Sequence, residues 1–169
     1  RRNMERLVYA DEVCYFNDLC IKPFNIPHDA NEPVGYSIFN NNNKITIATD
    51  IGHITDTVAE NIKDSSLILL ESNHDINMVR EGSYPYSLKQ RILGDYGHLS
   101  NDNAGKFLTS VHNDKLQYVF LGHLSQDNNT PRIAYDTVSD IVTDSGVELG
   151  GDYSMWVAPP YGVKRRIVL

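Results

Sequence analysis

Long apolar runs are missing from this sequence: none approaches the roughly 20 residues that a membrane-crossing helix needs, and no signal-peptide pattern is visible. No membrane role is therefore expected. Cysteine is scarce. Cys14 and Cys20 are the only two, their spacing matches no metal motif, and both lie in strand-like sequence. Two reduced core thiols in a cytoplasmic protein is the expected reading. Basic charge is also short, with 15 Lys and Arg against 22 Asp and Glu, a formal net charge of -7. That excludes a protein that coats nucleic acid through a general positive field. It does not exclude a nuclease, because bound metal ions reverse the local field. No internal repeat or low-complexity linker divides the 169 residues, so they read as one domain, large enough to bury a core.

What is there alternates between strand and helix patterns. Strands are expected at 6–10, 13–16, 19–25, 36–39 and 44–48, with Asn40 to Asn43 as a polar hairpin tip that favours left-handed backbone. Leu67 to Leu70 is apolar throughout, as in a strand covered on both faces. Leu116 to Leu121 is a second buried strand, and short strands are expected at 155–158 and 166–169. Helices are expected from Thr55 or Asp56 to Ile62, over 76–81 and 86–93, from a cap at Asn101 or Asp102 to Val111, and from Pro131 to about Ser145. The fold class is α/β: a mixed sheet with flanking helices.

Polar residues stand where the strands end. His28 follows the strand over 19–25, Asp50 follows Ile45-Thr46-Ile47-Ala48, and His123 follows the strand that ends at Leu121. The motif Gly97-His98-Leu99-Ser100 is echoed by Gly122-His123-Leu124-Ser125. Imidazole nitrogen and carboxylate oxygen suit zinc, manganese or iron. Strand ends that each carry one such group can converge on a metal. Read from the residues alone, His28 and Asp50 serve equally well as turn and capping residues.

Five pieces of sequence, in order, carry a resemblance. They are His28-Asp29-Ala30 with Pro33 and Gly35-Tyr36; Ala48-Thr49-Asp50-Ile51-Gly52; Leu70-Glu71-Ser72-Asn73-His74-Asp75; Tyr84-Pro85 with Leu88-Lys89-Gln90-Arg91-Ile92 and Gly97 to Asn101; and His123-Leu124-Ser125 with Asn128-Asn129 and Ala134. Together they resemble the metallo-β-lactamase-fold hydrolases of the bacterial WalJ (YycJ) type, relatives of ribonuclease Z and ribonuclease J. The resemblance implies a layered αββα sandwich and a nuclease, linked to DNA exonuclease activity and mismatch repair. It assigns His28, Asp50 and His123 as metal ligands, with Asp50 bridging two divalent ions, zinc or manganese. It assigns Glu71 and His98 as a proton-transfer pair. His74, Lys89 and Arg91 become candidates for contacts with a DNA or other nucleic-acid substrate.

The superfamily signature His-x-His-x-Asp-His does not occur in the sequence. In the family it lies upstream of the part matched here. The chain is therefore expected to be the C-terminal half to two-thirds of such a domain. By itself it should bind metal poorly, cleave poorly, and expose an apolar sheet face that drives association with its missing part or a second copy. Two other readings stay open: a small-molecule phosphodiesterase, and a non-catalytic remnant that serves as an interaction module.

Overall fold

The computed structural model describes residues 7–161 and 166–169. Among them, β1 (Cys14–Phe16), β2 (Leu19–Asn25), β3 (Val34–Asn40) and β4 (Asn43–Ala48) form an antiparallel meander. Asn41, at φ +51°, makes the tight turn between β3 and β4, a conformation Asn tolerates well. β5 (Leu67–Glu71), β6 (Tyr118–Gly122) and β7 (Ser154–Val157) continue the sheet in parallel with β4. Each parallel step needs a crossover, and helices supply it. α1 (Asp56–Ile62) links β4 to β5. α2 (Ile76–Glu81), α3 (Tyr86–Leu93) and α4 (Asn101–Val111) lie between β5 and β6, and α5 (Pro131–Asp144) precedes β7. The seven strands keep chain order across the sheet.

Side chains alternate across the pleat. Ile68, Leu70, Val119, Leu121 and Met155 face the helices and pack with Val58, Ile62, Leu108, Val138 and Val142 in the main core. Side-chain oxygens of Thr55, Asp75, Ser100 and Thr130 accept the N–H three residues on and start four of the helices. Each such cap is worth about 1 kcal/mol.

The opposite sheet face carries Ile45, Ile47, Leu67, Leu69, Tyr118, Phe120 and Trp156, all half-buried. The Tyr118 and Phe120 rings lie 5.8 and 5.4 Å from the Trp156 ring.

Several expectations need correction. The run 67–70 is covered on one face only, since Leu67 and Leu69 are half-buried. The cap of α4 is Ser100, because the Asn101 side chain is drawn inward by buried partners. Residues 7–10 and 166–169 form no strand, and Arg6 lies outside the described residues. Cys14 and Cys20 are free thiols but not in the core, because β1 and the start of β2 form the sheet edge. No helix among the described residues is long and apolar enough to cross a membrane.

Candidate metal centre

β2, β4, β5 and β6 run in the same direction, so their C-terminal ends share one edge of the sheet. His28 and Asp50 follow β2 and β4, Glu71 closes β5, and His123 follows β6. Open α/β sheets bind ligands at this edge, where helices cannot cover the strand ends. His98 comes from the loop between α3 and α4, fixed by the bond from its N–H to the Ile92 carbonyl at 3.1 Å. Gly97 must be glycine, because a Cβ there would overlap the Arg91 and Ile92 carbonyls. Asp50 and His123 both have left-handed backbone, φ +58° and +56°. For residues other than glycine this costs roughly 1 kcal/mol or more each. The surrounding hydrogen bonds hold them there.

Asp50, Glu71, His98 and His123 each offer a donor atom, and these atoms all lie within 4.8 Å of one another. Asp50 Oδ1 is 3.6 Å from His28 Nε2, 3.6 Å from His123 Nδ1 and 3.9 Å from His98 Nδ1. The His98 ring lies between the other two, its centroid 5.0 Å from His28 and 5.3 Å from His123. Glu71 is fully buried. Its Oε1 accepts from His98 Nδ1 at 2.9 Å and from His123 Nδ1 at 2.6 Å. Its Oε2 accepts the N–H groups of Ile51 at 2.6 Å and Leu99 at 3.2 Å. One carboxylate therefore sets two imidazoles and ties the Asp50 loop to the His98 loop.

The tautomers follow from these partners. His28 Nδ1 lies 3.0 Å from the Gly97 carbonyl, which can only accept, so Nδ1 carries the proton. In the neutral ring Nε2 then carries the lone pair, 3.6 Å from both Asp50 Oδ1 and Asp29 Oδ1, too long for a hydrogen bond. Two electron-pair donors facing one another across 3.6 Å are what a cation between them requires. A ring whose far nitrogen donates to a carbonyl or carboxylate is the usual support of a metal-ligating His. The donor set thus fits a divalent ion.

Buried amides hold the loops behind the site. Asn129 Nδ2 donates to the carbonyls of Ser72 and Asn73, both at 3.0 Å, and to Asn101 Oδ1 at 2.9 Å. Asn73 Nδ2 donates to the His123 carbonyl at 2.8 Å, and Ser72 Oγ to Asn101 Oδ1 at 2.6 Å. In sequence, Asn128-Asn129 reads as the turn behind His123, with Asn129 or Thr130 as the cap of the next helix. The signal for a larger role is a run of amides and hydroxyls directly abutting two buried strands.

The other three candidates are not among the four clustered residues Asp50, Glu71, His98 and His123. The His74 ring is buried, and its Nδ1 has no partner among the described residues. Lys89 Nζ donates to the Arg80 carbonyl at 2.7 Å. Arg91 clamps Asp29 through Nε at 2.5 Å and a second nitrogen at 3.0 Å, and so braces the loop that carries His28.

Burial would raise the Glu71 pKa, but the bonds from His123, His98 and Ile51 outweigh it and hold the acid below its ordinary value. The Glu71 bond raises His123 against the opposing effect of burial, with Asp50 adding to the rise. Burial pushes His74 down to about 4. These shifts give a two-sided pH dependence. His123 binds its proton more tightly folded than unfolded, so its stabilisation is full below about pH 6.5 and is lost as pH rises through the folded pKa. His74 does the reverse: between pH 6.5 and 4 the unfolded chain takes up the proton first, which costs up to about 3 kcal/mol. Denaturant unfolding of the metal-free chain should therefore be most favourable to the native state near pH 6.5. His74→Leu should flatten the acid limb, and an equally steep limb in that variant would refute the assignment.

The sheet and its helices define a metallo-β-lactamase-fold protein. YhfI from Bacillus subtilis, a protein of that fold, superposes with a TM-score of 0.62 at 11% identity, over 89% of this chain and 51% of its own. Zn(2+)-bound PqqB from Methylobacterium extorquens gives 0.58 at 14% identity, over 88% and 48%. The particular relatives come from sequence: the chain is homologous to the exodeoxyribonucleases YycJ and WalJ. It is 37% identical to YycJ of Bacillus anthracis over 149 residues, 88% of this chain and 56% of that protein. It is 32% identical to WalJ of Streptococcus pneumoniae over 145 residues, 86% and 54% respectively. The chain thus spans about half the length of the curated relatives it matches. No family model matches it.

Proposed function

We propose that this chain supplies one side of the active site of a metal-dependent phosphodiesterase that acts on nucleic acid, a DNA exonuclease like its relatives. A DNA substrate accords with a place in the cytoplasm. The observation that carries this reading is Asp50 Oδ1, set within 3.6–3.9 Å of three imidazole nitrogens at the C-terminal edge of the sheet. His28, Asp50 and His123 would hold divalent metal, zinc or manganese, with Asp50 shared between two ions. Metal bound there would activate water for attack and neutralise charge on the phosphate.

The chain's own residues do the rest. The Gly97 carbonyl fixes the His28 ring, and Glu71 fixes His123. Glu71 also occupies Nδ1 of His98, which leaves Nε2 to carry a proton to the departing oxygen. Glu71 is a positioning residue, because all its contacts are to protein groups behind the cleft. A complete two-metal site takes further ligands from the His-x-His-x-Asp-His segment. The rest of such a domain, or a second copy of the chain, would pack on the face of Tyr118, Phe120 and Trp156.

Single-stranded DNA labelled at either end tests this in a protein that joins these residues to that segment. Chelation should abolish release of mononucleotides, and zinc or manganese should restore it. Chelator-resistant cleavage, or cleavage confined to small phosphodiesters, would contradict it.

A further inference from the structure

A groove of about 640 Å³ lies on the outer side of α2 and α3, away from the core. Arg80, Tyr84, Tyr86, Lys89, Gln90 and Leu93 line it. Its size falls within the roughly 300–1,000 Å³ of clefts that hold small ligands. The span 76–93 carries Arg80, Lys89 and Arg91 against one carboxylate, Glu81, in a chain whose net charge is -7. Arg91 is engaged with Asp29, which leaves Arg80 and Lys89 as the groove's cations.

Its aromatic walls are held in place. Gln90 Nε2 donates to the Tyr86 hydroxyl at 2.8 Å, yet Tyr86 is 75% exposed. The Tyr84 hydroxyl donates to Asp127, in the loop that follows His123. An aromatic tethered at its hydroxyl and open on its ring is a platform built for stacking. The segment that forms the groove is tied to the metal-site scaffold twice, once through a lining residue and once through its neighbour Arg91. Tyr84 is joined to the loop after His123, and Arg91 on α3 is joined to the residue after His28.

We propose that this groove receives a nucleotide of a single strand that continues to the metal centre. The base stacks on Tyr86, and the phosphate meets Arg80 and Lys89. Stacking on an aromatic beside a cationic track is how single strands are held without regard to sequence. The proposal rests on the nucleic-acid reading above and adds the strand's path to it.

The test is anisotropy of a fluorescein-labelled oligothymidylate with the 169-residue chain, in chelator at low salt. Tyr86→Ala should weaken binding roughly tenfold. Arg80→Ala should reduce the slope of log affinity against log salt by about 0.7. Both residues are exposed, so unchanged melting curves will certify the variants. Both losses together support the groove. The lack of either loss, no binding at all, or equal competition by a blunt duplex overturns it. A parallel metal titration separates this outcome from the nuclease reading. Metal binding that depends on Asp50 while both groove variants bind normally refutes only the groove. Weakened groove variants with no metal bound at Asp50 refute the metal site instead.

Discussion

His98→Ala is expected to lower turnover by roughly 10²–10⁴-fold while leaving metal affinity nearly unchanged. The expectation applies to a protein that joins these residues to the His-x-His-x-Asp-His segment. Glu71 Oε1 holds His98 Nδ1 at 2.9 Å, and Asp50 Oδ1 stands 3.9 Å from the same nitrogen. The nitrogen nearest the acids is thus committed to Glu71, and the opposite one faces the cleft. His123 shares this bond to Glu71, and we assign the proton to His98 and the ion to His123. The departing oxygen of a phosphodiester needs that proton. Turnover and metal content measured on the same samples check the point: loss of metal together with rate would make His98 a ligand.

Asp50→Ala should have the opposite signature, with metal affinity falling roughly 100-fold or more. Even groups that only support a ligand from behind cost 10–100-fold when removed, and Asp50 is proposed as the shared ligand itself. Among the described residues, its side chain is the one anion that faces His28, His98 and His123 together from the open side of the cleft. Glu71 cannot replace it. That carboxylate is buried and already accepts two imidazole and two backbone donors.

The edge that carries the candidate site was legible because it depends on where strands stop. Apolar runs ending at Ala48 and Leu121 mark those points, and the first acid or imidazole after each, Asp50 and His123, inherits the edge. The helix bounds at 76–81 and 86–93 are equally plain, since Gly82 and Gly94 stop them. Less legible is anything that depends on three-dimensional neighbours. The sequence pairs Glu71 with His98 by resemblance, but nothing in it announces that the same oxygen also takes His123. Nor does it single out Ser100 as the α4 cap, because Asn101 has equal capping chemistry. Only the buried Asn129 and Ser72 side chains explain why Asn101 turns inward. The half-buried state of Leu67 and Leu69 is hidden for a related reason. Hydropathy records that a residue is apolar and not what covers it.

The most direct measurement is calorimetric titration of zinc and manganese into the 169-residue chain, its Asp50→Ala variant and its His98→Ala variant. The proposed ligands at hand are His28, Asp50 and His123, where a catalytic metal commonly takes three protein ligands and a second ion would need more. The expected result is weak binding of a single ion by the chain, retained in His98→Ala and lost in Asp50→Ala. Binding that is unchanged by Asp50→Ala, or two ions held tightly by this chain, would contradict the account.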